Sequence, residues 1–136
     1  MIMLSKLDQY FDFNTQALKL RSYRQQLLAS NVANADTPNY KAVDIDFARE
    51  LKRVSGKQPG DLRMTATSQQ HLQATTGNPY NAKIMYRSIS QPNIDGNTVN
   101  MDEERAQFAE NSLRYESTVR VLNGQIRGLM TAIKGV

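Results

Sequence analysis

Few side chains in this 136-residue sequence could carry out acid–base or metal chemistry, and they are scattered. The single histidine, His71, lies in a polar stretch with no partner that the sequence places beside it, whereas catalysis needs an oriented group of residues. Asp44 and Asp46 alternate as in a strand, but two carboxylates without further ligands make a poor magnesium or calcium site. Cysteine is absent, which excludes disulfides and thiolate metal sites.

The acidic run 102–104 looks at first like a metal-binding cluster. Asn100 is a candidate N-cap with Glu103 three residues later, so these acids fall in the first turn of a helix, where negative charge stabilises the helix dipole. The glycines match neither a dinucleotide-binding motif nor a P-loop. We therefore expect a protein that is not an enzyme and that has no catalytic residue, no cofactor and no metal site.

The charge distribution argues against nucleic acid as a partner. Seventeen basic and thirteen acidic residues give a net charge of +4, and no segment is strongly polybasic. Nucleic-acid binders usually cluster their basic residues with aromatic support, so we expect no such binding, although a helical protein that binds nucleic acid weakly stays an alternative. The N-terminal apolar run is too short for a signal peptide, and no run approaches the ~20 residues of a membrane span.

Glycine and proline divide the chain into a helix, an irregular middle and a second helix. Pro38 is the only one of either type in the first 55 residues, whereas seven fall between residues 56 and 96. From about Leu4 to Ala33, apolar residues recur at helical spacing, which predicts a long amphipathic helix. Its main packing row consists of Leu4, Leu7, Phe11, Leu18, Leu28 and Val32.

The last third of the chain predicts a second long helix, which follows Asn100 and ends near Lys134. Apolar residues alternate at spacings of three and four over more than four heptads, the pattern of a coiled-coil seam. Gly124 and Gly128 lie off this seam and are expected to mark the close approach of another helix backbone. The seam includes Phe108, Tyr115, Val119, Leu122, Ile126, Leu129 and Ile133.

We predict a mainly α fold in which the two long helices pair as an antiparallel coiled coil. Residues 1–35 and 100–136 form one core domain, residues 36–55 a loop and an extended segment, and residues 56–99 a partly irregular excursion. Within that excursion, residues 62–67 and 83–89 are candidates for the strands of a small hairpin. Because two helices of this length bury little core by themselves, their remaining apolar surface is expected to pack against other chains.

The end of the first helix is unusually rich in turn-forming residues. Pro38 pushes Thr37 out of the helical region, and Asn39 can take the left-handed conformation. Asn31 and Asn34 lie one turn apart and can bond free carbonyls or a neighbouring chain. By its chemistry alone, the stretch is a helix stop.

The same stretch resembles the signature of bacterial flagellar basal-body rod proteins, in which an N-terminal helix ends in S-N-[IV]-A-N-x-x-T-P-G-Y. Asn39 stands where the family usually has glycine, and asparagine tolerates the left-handed conformation that the turn needs. Residues 44–51, 64–71 and 95–115 extend the resemblance over nearly the whole chain, and they are most like the proximal rod subunit of the B type.

This resemblance implies a structural, non-enzymatic subunit that connects the membrane ring to the more distal rod and transmits torque. Its implied partners are other copies of itself, adjacent rod proteins, the membrane-ring protein with its rod adaptor, and the flagellar type III export apparatus. Its implied location is the periplasmic rod of the basal body, reached without a cleaved signal peptide. The loop expected to brace one subunit against another consists of Asn31, Asn34, Thr37, Pro38, Asn39 and Tyr40.

Two further readings stay open. A rod subunit of the C type is the nearer alternative, since it belongs to the same family. A cytoplasmic helical adaptor or export chaperone is the more distant one, and it would fold stably as an isolated monomer or dimer.

Overall fold

The computed structural model describes residues 2–56, 78–88 and 93–135, with side chains from Ser5 onward in the first helix. Helix α1 spans Ile2–Ala33 and a second long helix spans Met101–Lys134, so the predicted, mainly α fold is confirmed. Between them the chain forms strand β1 (Val43–Ile45), helix α2 (Phe47–Ser55), a 3-10 turn (Pro79–Asn81) and strand β2 (Ile84–Tyr86), so the C-terminal helix is α3. His71, the candidate strand 62–67 and the side chain of Leu4 lie outside the described residues.

Helices α1 and α3 pair in antiparallel orientation, as predicted. Near one end of the pair, Nδ2 of Asn14 donates to Oε1 of Gln125 at 3.1 Å. Near the other end, Nδ2 of Asn31 donates to Oε2 of Glu104 at 3.0 Å. Since the residue number rises along α1 while it falls along α3, the two chains run in opposite directions.

Strands β1 and β2 form an antiparallel ribbon in which Val43 pairs with Tyr86 and Ile45 with Ile84. The strand expected at residues 83–89 is therefore found at Ile84–Tyr86. Among the described residues, its partner is β1, which comes from the segment that follows α1. The ribbon thus joins the region after α1 to the segment that leads towards α3.

Helix α2 occupies the second half of the segment 36–55, for which the sequence suggested a loop and an extended stretch. Asp46 is its N-cap, and the Asp46 side chain accepts a hydrogen bond from the backbone N–H of Arg49 at 3.2 Å. Val54 is buried, and Leu51 packs against the core. An N-cap aspartate followed by apolar residues at helical spacing is a local signal, so this helix was recognisable in principle.

The hydrophobic core lies on one side of α1 and is built by segments distant in sequence. Its buried members are Leu20 and Tyr23 from α1, Ile45 from β1 and Ala82 before β2. Partly buried apolar residues surround them: Leu27, Phe47, Leu51 and Tyr80. This core holds the ribbon and α2 against the second half of α1, and it positions the loop that follows α1.

Candidate assembly site

Asn31 is the centre of the loop that ends α1, and its side chain is completely buried. Nδ2 donates to the carbonyl oxygen of Val43 at 2.7 Å and to Oε2 of Glu104 at 3.0 Å. Oδ1 accepts from the N–H of Val43 at 3.0 Å and from the hydroxyl of Tyr40 at 3.1 Å. Because a carboxamide has two N–H donors and two acceptor lone pairs, Asn31 uses its full capacity to join α1, β1, α3 and the loop.

Asn34 and Thr37 end the helix as the sequence suggested. Nδ2 of Asn34 donates to the carbonyl oxygen of Ser30 at 2.8 Å. The hydroxyl of Thr37 donates to Oδ1 of Asn34 at 3.1 Å, and the N–H of Thr37 donates to the carbonyl oxygen of Asn34 at 3.1 Å. Thr37, Pro38 and Asn39 are exposed, so this turn presents a surface of its own.

Asn39 adopts the left-handed conformation expected of it, with φ of 60°. Its N–H donates to the carbonyl oxygen of Asp95 at 3.0 Å, which brings the loop after α1 against the segment before α3. Gly96 has φ of +79°, and a Cβ there would lie 2.5 Å from Oδ1 of Asn39. Glycine is therefore needed at residue 96 for both its backbone conformation and its lack of a side chain.

Asn97 is the residue of this site that the sequence reasoning missed. It is completely buried. Nδ2 lies 2.9, 2.9 and 2.8 Å from the carbonyl oxygens of Asn34, Ala35 and Thr37, so its two N–H bonds serve three acceptors, one N–H being shared between two of them. These carbonyls belong to the end of α1 and its turn, where the helix itself supplies no partners. No local pattern marks an asparagine that caps a helix about sixty residues earlier in the chain.

Further hydrogen bonds align the segment before α3 with the loop after α1. The N–H of Thr98 donates to the carbonyl oxygen of Tyr40 at 3.0 Å, and the N–H of Ala42 donates to Oγ1 of Thr98 at 2.8 Å. We call the two segments together, residues 31–43 and 95–100, the clasp. The clasp joins the C-terminal end of α1 to the N-terminal end of α3.

A charged network lies beside the clasp. Arg24 of α1 forms two hydrogen bonds of 2.9 Å with the carboxylate of Asp44 in β1. Arg87, which follows β2, approaches Asp44 at 2.7 Å and Glu104 at 2.9 Å. Four elements of the fold thus meet through two basic and two acidic side chains, and their opposite charges offset much of the cost of burial.

Glu104 belongs to the acidic run 102–104, which was predicted to form the first turn of a helix. That prediction is confirmed by Asn100, whose side chain accepts from the N–H groups of Asp102 and Glu103. The carboxyl group of Glu104 is in addition buried at the α1–α3 contact. Burial raises its pKa above the ordinary value, while the hydrogen bond from Asn31 and the charge of Arg87 act in the opposite direction.

The contact line between α1 and α3 is more polar than the apolar seam suggested. The fully buried residues of α3 are Glu104 and Asn111, seven residues apart, and Gln125 follows fourteen residues later. Nδ2 of Asn111 donates to the backbone carbonyl of Arg21 at 2.9 Å. These residues share one heptad position, which is adjacent to the predicted seam. Because this polar row faces α1, part of the apolar row points away from α1.

The predicted seam residues are accordingly divided between the helix pair and solvent. Leu28 is completely buried, whereas Ile133 is 83% exposed. Half-buried positions are Phe11, Leu18, Val32, Val119, Leu122 and Leu129. Exposed positions are Leu7, Phe108, Tyr115 and Ile126. Much of the apolar surface of both long helices is therefore uncovered by the described part of the chain.

Within residues 2–56, 78–88 and 93–135, no group of three or more acidic or histidine side chains is arranged to hold a metal ion. In the same ranges, no helix is both long enough and apolar enough to span a membrane.

Comparison with known proteins identifies the family. The sequence model described as Flagella basal body rod protein matches residues 11–41. The flagellar basal body rod protein FlgB of Escherichia coli K12 is 49% identical over 135 residues, which cover 97% of this chain and 98% of the relative. The chain belongs to the FlgB family of flagellar basal body rod proteins.

Two other FlgB proteins show how far the similarity extends. FlgB of Salmonella typhimurium is 46% identical over 136 residues, covering 98% of this chain and 99% of the relative. FlgB of Cereibacter sphaeroides is 51% identical over 122 residues, covering 90% of this chain and 91% of the relative. The region that matches the rod-family model, residues 11–41, includes Asn31, Asn34 and the exposed turn, so it overlaps the first half of the clasp.

Proposed function

We propose that this FlgB-family chain is a structural subunit of the proximal rod, which connects the membrane ring to the more distal rod and transmits torque. The observation that carries the proposal is the apolar surface on both long helices that the described part of the chain leaves uncovered, in a chain that closely resembles a rod protein over nearly its whole length. Soluble monomers rarely expose contiguous apolar surface of this kind unless it contacts another molecule. The subunit has no catalytic role.

The two ends of the helix pair have different parts in this proposal. At the clasp, Asn31, Asn97 and Glu104 hold α1 and α3 together through buried hydrogen bonds. At the opposite end, exposed apolar residues such as Ile133 and Met130 have little cover from the described part of the chain. The clasp therefore sets the geometry of the subunit, and neighbouring chains complete the packing of the helices during assembly.

The partners follow from the position of a proximal rod subunit. They are other copies of this chain, adjacent rod proteins, and the membrane-ring protein with its rod adaptor. The exposed turn at Thr37, Pro38 and Asn39, which the clasp holds rigidly, braces one subunit against the next. The chain reaches the periplasmic rod through the flagellar type III export apparatus without cleavage of a signal peptide.

Localisation provides the direct test. A short epitope tag is placed after Gly135, and basal bodies are purified from cells in which the tagged chain replaces the natural copy. We expect the tagged chain to co-purify with basal bodies and the cells to swim. A tagged chain that supports swimming but is found only in the cytoplasm would contradict the proposal and favour an adaptor or chaperone.

A further inference from the structure

Strand β2 has an edge whose backbone groups point away from the rest of the ribbon. In an antiparallel pair, residues whose N–H and carbonyl groups face the partner strand alternate with residues whose groups face away. The N–H of Arg87 donates to the carbonyl oxygen of Ala42 at 3.0 Å, so Arg87 faces the chain that forms β1. Ile84 and Tyr86 therefore direct their N–H and carbonyl groups to the opposite side, and we call this side of β2 the open edge.

The contacts of Asn31 support this alternation. Val43 is the residue of β1 that pairs with Tyr86. Both its N–H and its carbonyl oxygen are bonded to the side chain of Asn31, which comes from α1 and not from β2. Val43 thus faces away from β2, and its cross-strand neighbour Tyr86 faces away from β1. In the described part of the chain, the N–H and carbonyl groups of Ile84 and Tyr86 form no hydrogen bond at the open edge.

The side chains of β2 are exposed on both faces of the ribbon. Ile84 and Tyr86 project to one face and are 46% and 73% exposed, and Met85 projects to the other face and is 40% exposed. A ribbon of two short strands is marginally stable by itself, and a third strand would cover apolar side chains at its edge. The open edge therefore has both the backbone groups and the apolar side chains of a surface that binds a strand.

The segments that build the ribbon and α2 have an excess of positive charge. Residues 41–55 and 78–88 contain three carboxylates. Those of Asp44 and Glu50 form ion pairs with arginines, and that of Asp46 caps α2. Four exposed cationic residues of the same segments form no ion pair with a described residue: Lys41, Arg49, Lys52 and Lys83.

Two of these lysines lie next to the open edge. Lys83 immediately precedes Ile84 in the chain. Nζ of Lys41 lies 5.9 Å from the centroid of the Tyr86 ring, which places this ammonium group over the exposed ring. A strand that paired with β2 would have its side chains close to both ammonium groups, so carboxylates there would be attracted and basic residues repelled.

These properties favour a polypeptide over other anionic partners. Donors and acceptors that alternate along an extended backbone match the groups of another extended backbone. A lipid surface or a nucleic acid would neutralise the lysines through its phosphates. Phosphodiester oxygens only accept hydrogen bonds, however, so they would leave the carbonyl groups of Ile84 and Tyr86 without donors.

A second copy of this chain has the wrong charge for the open edge. Pairing of two β2 strands would bring residues 83–87 of both copies together, and this segment contains Lys83 and Arg87 but no acid. In antiparallel pairing Lys83 would lie opposite Arg87, and in parallel pairing the two lysines would be neighbours. Because like charges on paired strands are destabilising, the partner is a different chain.

From these observations we propose that β2 binds an extended, acidic segment of a different protein, which joins the ribbon as a third strand. Its backbone pairs with Ile84 and Tyr86, its carboxylates lie near Lys41 and Lys83, and its apolar side chains cover those of β2. The proposal rests on the proposed function, since the partner is sought in the basal body. It deepens that function by assigning a binding surface outside the long helices and the chemistry of the segment that binds there.

Photochemical crosslinking in assembled basal bodies tests the proposal. Tyr86→p-benzoylphenylalanine places a photoreactive group at the most exposed residue of β2. Cells are irradiated, basal bodies are purified, and the crosslinked peptide is identified by mass spectrometry. We expect a crosslink to a chain other than this one, at a segment with more acidic than basic residues. The yield is expressed per incorporated copy, so failure to reach the basal body, which would contradict the proposed function, is scored separately.

Backbone pairing is tested by adding Ile84→Pro to the photoreactive chain. Proline removes the N–H from the open edge without removing a hydrogen bond to β1, since the N–H of Ile84 faces away from β1. The yield should fall by about tenfold, because one strand hydrogen bond is lost and its acceptor is left unpaired. Ile84→Ala is the matched control, since it shortens the side chain but retains the N–H, and it should keep most of the yield. Circular dichroism should show the same helicity for both purified variants.

Charge reversal leaves the backbone intact and provides a second measurement. Lys41→Glu combined with Lys83→Glu should lower the yield by about tenfold, because the carboxylates of the partner would then be repelled. Lys6→Glu reverses an exposed lysine of α1, outside the ribbon and α2, and should leave the yield unchanged.

The proposal is wrong if the crosslink forms within one chain, between two copies of this chain, or to a lipid or glycan. It is equally wrong if no crosslink forms in basal bodies that contain the photoreactive chain. A crosslinked segment without an excess of acidic residues, or equal yields from Ile84→Pro and Ile84→Ala, would contradict the assigned pairing. In each case the chain is still located in basal bodies, so failure here is distinguishable from failure of the proposed function.

Discussion

Asn31 and Glu104, seventy-three positions apart, are joined by a buried hydrogen bond of 3.0 Å that fastens the end of α1 to the beginning of α3. The same carboxamide also holds both backbone polar groups of Val43. Removing it would leave several buried groups without partners, which usually costs more than the hydrogen bonds themselves contribute. The clasp is therefore the part of the molecule where single polar substitutions should have the largest effects.

Asn31→Ala should lower the free energy of unfolding by about 3 kcal/mol, since the N–H and carbonyl of Val43 and the carboxylate of Glu104 lose their partner. Urea denaturation followed by circular dichroism measures the change. Asn34→Ala is the matched control, because Asn34 lies one turn later and its hydrogen bonds are exposed. Its expected loss is below about 1 kcal/mol, and equal losses would contradict the role assigned to Asn31.

Asn97→Ala should expose the carbonyls of Asn34, Ala35 and Thr37 and loosen the clasp without unfolding the core. Hydrogen exchange read by mass spectrometry should show that, relative to the natural chain, the substitution speeds exchange in residues 34–42 and changes it little in residues 20–28. Asn97→Asp should be at least as disruptive, because its carboxylate would face three carbonyl oxygens. Asn93→Ala, at an exposed position of the same segment, should leave the exchange of residues 34–42 unchanged.

Glu104 should make stability depend on pH. Because burial raises the pKa of its carboxyl group in the folded chain, the folded state binds this proton more tightly than the unfolded state. Its contribution to stability is then complete below the ordinary pKa of a glutamate and is lost as the pH rises through the raised value.

The free energy of unfolding of the natural chain and of Glu104→Gln should be compared from pH 4 to pH 8. The natural chain should lose stability relative to the variant as the pH rises, by at most about 1.4 kcal/mol per pH unit. Glu103→Gln removes a carboxylate that is far more exposed and that contributes least to the raised pKa of Glu104, so it should change the slope much less than Glu104→Gln does. A natural chain that gains stability relative to Glu104→Gln on raising the pH would show that Arg87 outweighs burial.

Leu122→Asp should leave export intact and abolish incorporation into the rod. Leu122 is a half-buried apolar residue of α3, and a carboxylate there would have to be desolvated wherever another helix covers it. Secreted and basal-body fractions should be probed separately, together with swimming. Asn123→Asp places the same charge at the neighbouring exposed position and should be tolerated. Normal swimming of the Leu122→Asp cells would refute the prediction.

Local signals were sufficient to predict several parts of the fold. Helical spacing predicted both long helices, and α3 has the bounds expected from Asn100 and Lys134. Asn100 caps α3, and Asn39 is left-handed, because the preferences of an N-cap or a turn residue depend on its immediate neighbours. The antiparallel pairing of the helices is also confirmed.

Contacts between distant segments were not predictable in the same way. In its local sequence Asn97 resembles an ordinary turn residue. Its capping role is visible only in the folded chain, where the end of α1 lies next to it. The polar row at Glu104 and Asn111 lies one position from the apolar seam, and the sequence alone does not say which of two adjacent rows faces α1. Neither feature has a local signature, because its partners are contributed by residues sixty or more positions away.

The hydrogen bonds between Asn31 and Val43 have a consequence for the small ribbon. By occupying both the N–H and the carbonyl of Val43, the side chain of Asn31 stands where the backbone of a third strand would otherwise lie. An unprotected strand edge is a site of unwanted pairing between chains. A single carboxamide at the end of α1 thus protects this edge of β1 from pairing with a strand of another chain.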